Sequence, residues 1–189
     1  MYHPAVMFTA MRYTVTIMLQ LSNAFANKAV MSLRTGTPVA DVGQPIINPN
    51  NLKIEGFYCE DIFNKQLLVL LYQDIREILP QGFVVDDIDV LVPPTELVRL
   101  QDVLELNFEL IGKPVETQSK DKVGKVADYA VEIESMFIQK IYVSRSVLKS
   151  LTTGQLSIDR SNIIEITNRR VVIADLLKTA PAAVSAGMA

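Results

Sequence analysis

The sequence predicts a mainly β protein, with two tandem small β-barrels joined by one short α-helix. Three observations predict it: apolar residues recur at strand spacing in short runs, turn residues separate the runs, and the second half of the chain repeats the first. The repeat comes first, because self-similarity at a fixed offset decides how every other element is read. Ile47 to Cys59 lie without a gap on Val131 to Val143 at an offset of 84, matching Leu52 with Met136, Ile54 with Ile138, Phe57 with Ile141 and Tyr58 with Tyr142. Leu70 to Asp87 lie on Ile158 to Asp175 at an offset of 88, matching Ile75 with Ile163, Glu77 with Glu165, Ile78 with Ile166 and Val84 with Val172. Asn27 to Val30 match Gly112 to Val115 at an offset of 85. The segments between the two long blocks, 10 residues from Glu60 to Val69 and 14 from Ser144 to Ser157, account for the change in offset. A shared β-branched composition does not place identical Tyr, Glu and Asp in step over two separate blocks.

Within each repeat the periodicity is that of strands. Leu52, Ile54 and Tyr58 share one parity, as do Met136, Ile138 and Tyr142, which predicts that each set lines one face of a strand of period two. Phe83-Val84-Val85 and Val171-Val172-Ile173 are apolar runs suited to strands covered on both sides. Turns are predicted at Asn48-Pro49-Asn50-Asn51, Pro80-Gln81-Gly82, Ser119-Lys120-Asp121 and Thr167-Asn168-Arg169. One helix is predicted over Thr95 to Glu105. Pro93-Pro94 and Glu96 supply its start, and Leu97, Leu100, Val103 and Leu104 form the stripe it is expected to bury. A shorter helical turn is expected over Ser146 to Leu151. The organisation is therefore an N-terminal extension over 1–26, a first repeat over 27–92, a linker helix over 93–108, a second repeat over 109–176 and an Ala/Pro-rich tail over 177–189, too poor in large apolar groups to fold.

Composition excludes several chemistries. Cys59 is the only cysteine, so no internal disulfide forms, and with His3 as the only histidine no Cys/His zinc set can be assembled. The net charge of −3 is uneven: Asn27 to Phe108 carry 6 basic and 12 acidic residues, Glu109 to Ala189 carry 11 and 9. An acidic first half opposes broad contact with a polyanion, which needs clustered Lys and Arg. Arg12, the apolar Val15 to Leu21 and Ala24-Phe25-Ala26 outline an export signal. Thr16 and Gln20 dilute its apolar core, and the stretch is too short to span a bilayer, which takes about 20 residues. The expectation is a cytoplasmic chain, with export through a signal ending near Ala26 as the alternative. Met11, Met18 and Met31 offer alternative starts, so residues 1–17 are expected to be dispensable.

Asp86, Asp87 and Asp89 crowd three carboxylates together, but without the spaced ligands and glycine of a calcium loop they read as a solvated strand end. Cys59 has no neighbouring base and reads as a small core residue. Ser144, Ser146 and Ser157 lack a G-x-S-x-G elbow and a histidine relay. Arg169 and Arg170, with Lys122, Lys125, Lys140 and Arg145, could form a basic face, but Asp121, Asp128, Glu132 and Glu134 are interspersed, as on an ordinary mixed surface. Neither phosphate-loop pattern occurs. No catalytic, metal or cofactor residue is assigned.

Ile111-Gly112-Lys113-Pro114-Val115, Val123-Gly124-Lys125-Val126-Ala127-Asp128, the strand Phe137 to Val143 and Asn162 to Ile173 together resemble a PRC-barrel domain. This small β-barrel is also found in the photosynthetic reaction-centre H subunit and at the C-terminal end of a small-subunit ribosome maturation factor. The stretch from Asn27 to Asp175 resembles bacterial proteins carrying two such barrels. In the first repeat Asn27 stands for Gly112, and Val39-Ala40-Asp41-Val42 stand for Val123-Gly124-Lys125-Val126, without the glycine. The resemblance brings no catalytic residues. It implies a non-enzymatic binding or adaptor protein that docks onto a protein assembly, with a ribosome-associated or RNA-linked assembly factor as the alternative. The expected partner is a protein, with nucleic acid reached only through a ribosomal complex, no membrane span, and self-association possible.

Overall fold

The computed structural model describes residues 18–144 and 155–175. The chain opens with β1 (Leu19–Leu21), continues through β2 (Ala29–Ser32), β3 (Pro38–Asn48), β4 (Lys53–Asp61), β5 (Leu67–Leu71), β6 (Glu77–Ile78), β7 (Gly82–Val85) and β8 (Leu91–Val92), and reaches α1 (Gln101–Leu106). The second half holds β9 (Pro114–Thr117), β10 (Lys122–Glu132), β11 (Ile138–Ser144), β12 (Gln155–Asp159), β13 (Ile163–Ile166) and β14 (Val171–Ile173). The protein is mainly β. Its strands form two mixed sheets, ordered β6-β7-β2-β3-β4-β5-β8 and β12-β11-β10-β9-β14-β13, with β1 added to β10. Among the described residues neither path closes on itself through main-chain pairing. The coarse expectation of a mainly β chain holds.

The two sheets share one strand order, and their registers coincide residue for residue with the sequence repeat. Val42 faces Cys59 as Val126 faces Val143, and Tyr58 faces Val69 as Tyr142 faces Ser157. The parallel seam pairs Val30 with Phe83 in the first sheet and Val115 with Val171 in the second. Glu77 faces Val84 as Glu165 faces Val172. The matched left-handed positions agree as well: Asn27 has φ +54° where Gly112 has +85°, and Leu52 has +54° where Met136 has +57°. Asn is among the few residues that enter this region at low cost, which is why it can stand where the second repeat has glycine.

The predicted turns all join strands, and β7 and β14 lie inside their sheets with Phe83, Val85, Val171, Val172 and Ile173 buried. Three expectations need correction. Leu52 and Met136 do not share a strand face with Ile54 and Ile138; each is a buried left-handed turn residue just before its strand. Tyr58 is also out of phase with Ile54, because the ladder slips between Ile46 and Ile47, and between Ala130 and Val131 in the second sheet. Such a bulge inserts a residue and reverses the faces beyond it, so Phe57, Cys59, Ile141 and Val143 are buried while Tyr58 and Tyr142 are half-buried.

The third correction is the linker. Pro94–Glu96 and Val98–Leu100 are separate 3₁₀ turns, and only Gln101–Leu106 is α-helical. Leu97, between the turns, has ψ +61° and breaks the run. Leu97, Leu100 and Leu104 are half-buried and Val98 is exposed, so the stripe lies on the surface of the sheets and does not insert between them.

Residues ahead of the first repeat join the fold. β1 pairs antiparallel with β10, setting Leu19, Gln20 and Leu21 against Glu132, Val131 and Ala130. Ser22 donates from its hydroxyl to Asp128 at 2.5 Å, and Phe25 is buried against Phe57 and Phe83. The turn expected at Ser146 to Leu151, the tail over 177–189 and residues 1–17, with His3, lie outside the described residues.

Candidate functional site

The two halves meet about an approximate two-fold axis. The Ile54 N–H donates to the Met136 carbonyl at 2.8 Å, and the matched Ile138 N–H donates to the Leu52 carbonyl at 2.8 Å. Between them Lys53 and Phe137, themselves matched residues, form an isolated antiparallel bridge. Side chains stack along this seam. The Lys53 ammonium lies 3.9 Å from the Tyr72 ring centroid, donates to the Tyr72 hydroxyl at 2.6 Å, and lies 5.5 Å from the Phe137 ring. The Arg160 guanidinium lies 4.2 Å from the Phe137 ring centroid and donates to the Asn51 carbonyl at 2.8 Å. Tyr72 and Arg160 also occupy matched positions, so the cation and the ring exchange places between repeats.

Beside this seam, β3, β4, β10 and the stretch from α1 to Ile111 enclose a cleft of about 220 Å³. Ile46, Ile47, Val103, Phe108 and Leu110 make it apolar, and Tyr58 and Tyr129 bring phenols to it. Its shape follows from the chain locally. β3 is interrupted between Val42 and Pro45, where Gly43 and Gln44 bulge out. Proline has no N–H to give a ladder and is tolerated at such irregularities. Gly43 fits there because a Cβ would come within 3.1 Å of the Tyr58 carbonyl.

Tyr129 is only 3% exposed, yet its hydroxyl makes no hydrogen bond among the described residues. Burial, reinforced by the neighbouring Asp128 carboxylate, pushes its phenol above the ordinary range, so it remains a neutral donor. Gln44, Tyr58 and Asn107 continue from the cleft into a shallower groove along β3 and β4, bordered by Asp41, Glu60 and the exposed Leu67. Cleft and groove together carry the carboxylates Asp41, Glu60 and Glu109, and neither is lined by Lys or Arg. Glu60 is shared with Lys65 at 2.9 Å across an exposed hairpin.

The residues singled out from sequence lie elsewhere or act structurally. Asp86 pairs with Arg76, its Oδ1 accepting from Nε at 2.8 Å. Asp87 is buried, accepts from the Ser32 hydroxyl at 3.0 Å and pairs with the Arg34 guanidinium. Burial opposes its charge, but the Ile88 amide, Ser32 and Arg34 outweigh it and hold its carboxyl below the usual range. The matched Asp175 accepts from the Ser119 hydroxyl at 2.7 Å, so both carboxylates pin the turn that follows the first strand of their repeat. Asp89 is exposed.

Cys59 is buried, and burial pushes its thiol up to about 12. Ser144 donates to the Lys125 carbonyl, and Ser157 is exposed on β12. Of the candidate basic face, Lys140 pairs with Asp159 at 2.8 Å and Arg170 with Glu116 at 3.1 Å. Lys122, Lys125 and Arg169 are exposed, while Arg145 and Ser146 lie outside the described residues. Among the described residues no group of three His, Cys, Asp or Glu is placed to hold a metal, and no helix is long and apolar enough to cross a membrane.

Sequence reasoning missed Tyr129, Phe108, Glu109 and Leu110. The available signal was a break in the repeat: at an offset of 84, Tyr129 falls on Pro45, and both line the cleft. No protein-family model and no curated protein sequence matches this chain.

Proposed function

We propose that this chain is a non-enzymatic binding protein, an adaptor that presents a composite surface built by two PRC-barrel-like units. The observation that carries this reading is the cleft itself. Its walls come from β3 and β4 of one half, from β10 of the other and from the connecting stretch, so neither half alone completes it. Its apolar lining suits recognition. Of the titratable groups around it, Tyr129 is held as a neutral phenol, and Cys59, in the adjoining groove, is buried as a thiol. The family reading rests on the quoted motifs and on the shared strand order of the halves.

The alternative, an RNA-linked assembly factor, draws on Lys122, Lys125 and Arg169 in the more basic second half. It is weakened by Lys140 and Arg170 being held in ion pairs. A pull-down from the native cell with the whole chain, residues 1–92 and residues 93–189 tests the proposal. Partners recovered only by the whole chain support it; equal recovery by one half, or turnover of a metabolite by the purified chain, overturns it. Co-sedimentation with ribosomes selects the alternative.

A further inference from the structure

We propose that the end of the first sheet carrying Leu33, Phe63 and Leu67 binds a second copy of this chain in a reversible two-fold dimer. The contact lies outside the cleft's walls and does not rest on the binding-protein reading.

Exposure marks the surface. Phe63 is 69% exposed, Leu33 62% and Leu67 58%, although all three are large and apolar. The topology brings them to one end of one sheet. Asp61 pairs with Ala40 and the Ile62 N–H donates to the Val39 carbonyl at 3.3 Å, so the hairpin from β4 to β5 stands beside the start of β3, where the turn after Leu33 ends. Three such side chains present on the order of 400 Å² of apolar surface, a patch of the size that is often functional on a single chain.

The second half shows that the fold does not require these residues. The Leu33 N–H donates to the Val85 carbonyl at 2.9 Å as the Gln118 N–H donates to the Ile173 carbonyl at 3.0 Å. Leu67 faces Glu60 as Gln155 faces Ser144. Gln118 and Gln155 are exposed too, so both places accept a polar residue. Leucine there adds nothing to the first core, and its use lies in contact outside the chain.

The tip is also fixed in advance. The buried Asp61 accepts at Oδ1 from the Phe63 amide at 2.7 Å and the Asn64 amide at 3.2 Å, and its own N–H donates to the Gln66 carbonyl at 3.0 Å. Phe63 is thereby held outward on a rigid turn, and an aromatic side chain presented this way loses little freedom on binding.

Charge decides the occupant. Lys65 pairs with Glu60 at 2.9 Å and also feels Asp41, Arg76 donates from Nε to Asp86 at 2.8 Å, and Arg34 pairs with Asp87. These cations are engaged by carboxylates, so the rim offers a polyanion or an acidic lipid surface little to neutralise. Both signs side by side are self-complementary: a two-fold axis through the patch sets Lys65 of each chain against Glu60 of the other. Exposed ion pairs are weak, so the exchange costs little. With their polar rim two patches bury about 1,000 Å², the lower end for a specific contact, and the dimer comes apart on dilution.

Sedimentation velocity of the full chain from micromolar to millimolar concentration tests this. The mass is expected to rise from one chain toward two and to stop there. Phe63→Ser, and separately Leu33→Gln with Leu67→Gln, which copy the second half, are each expected to weaken association at least about tenfold while the thermal melt is unchanged. Lys65→Glu alone and Glu60→Lys alone are each expected to weaken it, and an equimolar mixture of those two variants to restore it, because each then meets the opposite charge. A single-chain mass at millimolar concentration, association that survives Phe63→Ser, or a mixture no tighter than its components overturns the proposal. So does flotation of a monomeric chain with phosphatidylcholine vesicles that Phe63→Ser abolishes, which would assign the patch to a membrane surface.

Discussion

The two halves carry one ladder and two cores. Phe25, Phe57 and Phe83 form a buried aromatic trio in the first half, with ring centroids 4.9 to 6.2 Å apart. The positions matched to them hold Leu110, Ile141 and Val171, also buried, in the second. Register and burial are thus properties of position, while side-chain chemistry is free to change so long as the volume is refilled. The outer edges differ more. β8 covers β5 in the first sheet, but among the described residues no strand lies beyond β12 in the second. β1 covers the end of β10, whereas the matched end of β3 faces α1 across the cleft. A helix of six residues fills that place less completely than a strand does, and the cleft is the remainder.

The largest expected effect sharpens the contrast between the cores. Phe25→Ala removes the ring that touches both other rings and is expected to cost about 3–5 kcal/mol in urea unfolding. A chain beginning at Asn27, which lacks both Phe25 and β1, should melt far below one beginning at Met18. Indistinguishable melts would show that the N-terminal stretch does not belong to the first core.

Next in size is a backbone test of positional equivalence. Gly124 sits in β10 where a Cβ would collide with the Ser144 carbonyl, yet the matched Ala40 is buried in β3 without penalty. Gly124→Ala is therefore expected to destabilise by about 1–3 kcal/mol, and a thermal melt no lower than that of the unchanged chain would mean the second sheet relaxes as the first has done.

The seam gives a smaller effect. Phe137→Lys sets a second cation against Lys53 and leaves Arg160 without its ring, and it should cost roughly 1–2 kcal/mol. Adding Lys53→Phe restores the cation–ring contact between positions 53 and 137 but still sets a cation against Arg160, so a double-mutant cycle is expected to recover only part of the loss. A strictly additive cycle would show that the stack contributes nothing to joining the halves.

The smallest effect is at acid pH. Because the Asp87 carboxyl is held below its ordinary range, its ionised form stabilises the fold at pH above that range. That contribution is lost as pH falls through the depressed folded value. Asp87→Asn should lower the midpoint at neutral pH and flatten the decline in stability at pH below about 4. Parallel declines in both proteins would remove Asp87 from the account of acid sensitivity.

Much of this architecture was legible because a repeat compares a sequence with itself. Offsets of 84 and 88 matched Tyr58 with Tyr142, Val84 with Val172 and Glu77 with Glu165, and each matched pair holds the same place in its ladder. Proline, asparagine and glycine marked three of the four turns, and Ser and Asp the fourth, through local backbone preference, which needs no tertiary context. What escaped was set by contacts distant in sequence. The bulges at Glu55 and Gln139 reverse strand parity, and only the first has a glycine, Gly56, beside it. β1 has too few residues to show a period, and its partner lies more than a hundred residues away. Phe25 could have been found, since the offset of 85 that matches Asn27 with Gly112 also sets it on Leu110. The leucine stripe of the linker reads as a helix to any periodicity argument, and only the conformation of Leu97 breaks it. The cleft was invisible for a related reason, since it forms where the repeat fails to match.

The crossed bonds between Ile54 and Met136 and between Ile138 and Leu52 have a consequence for how such a chain is assembled. Each bond joins atoms that the other bond joins in reverse, so two separate copies of one unit could make the same pair of contacts in an isologous dimer. For separate copies that contact depends on protein concentration. In a single chain the connection from β8 to β9 supplies a fixed effective concentration, and the seam stays closed at any dilution. The two sequences are then released from matching each other, which is what allows Lys53 to face Phe137 and one wall of the cleft to differ from the other.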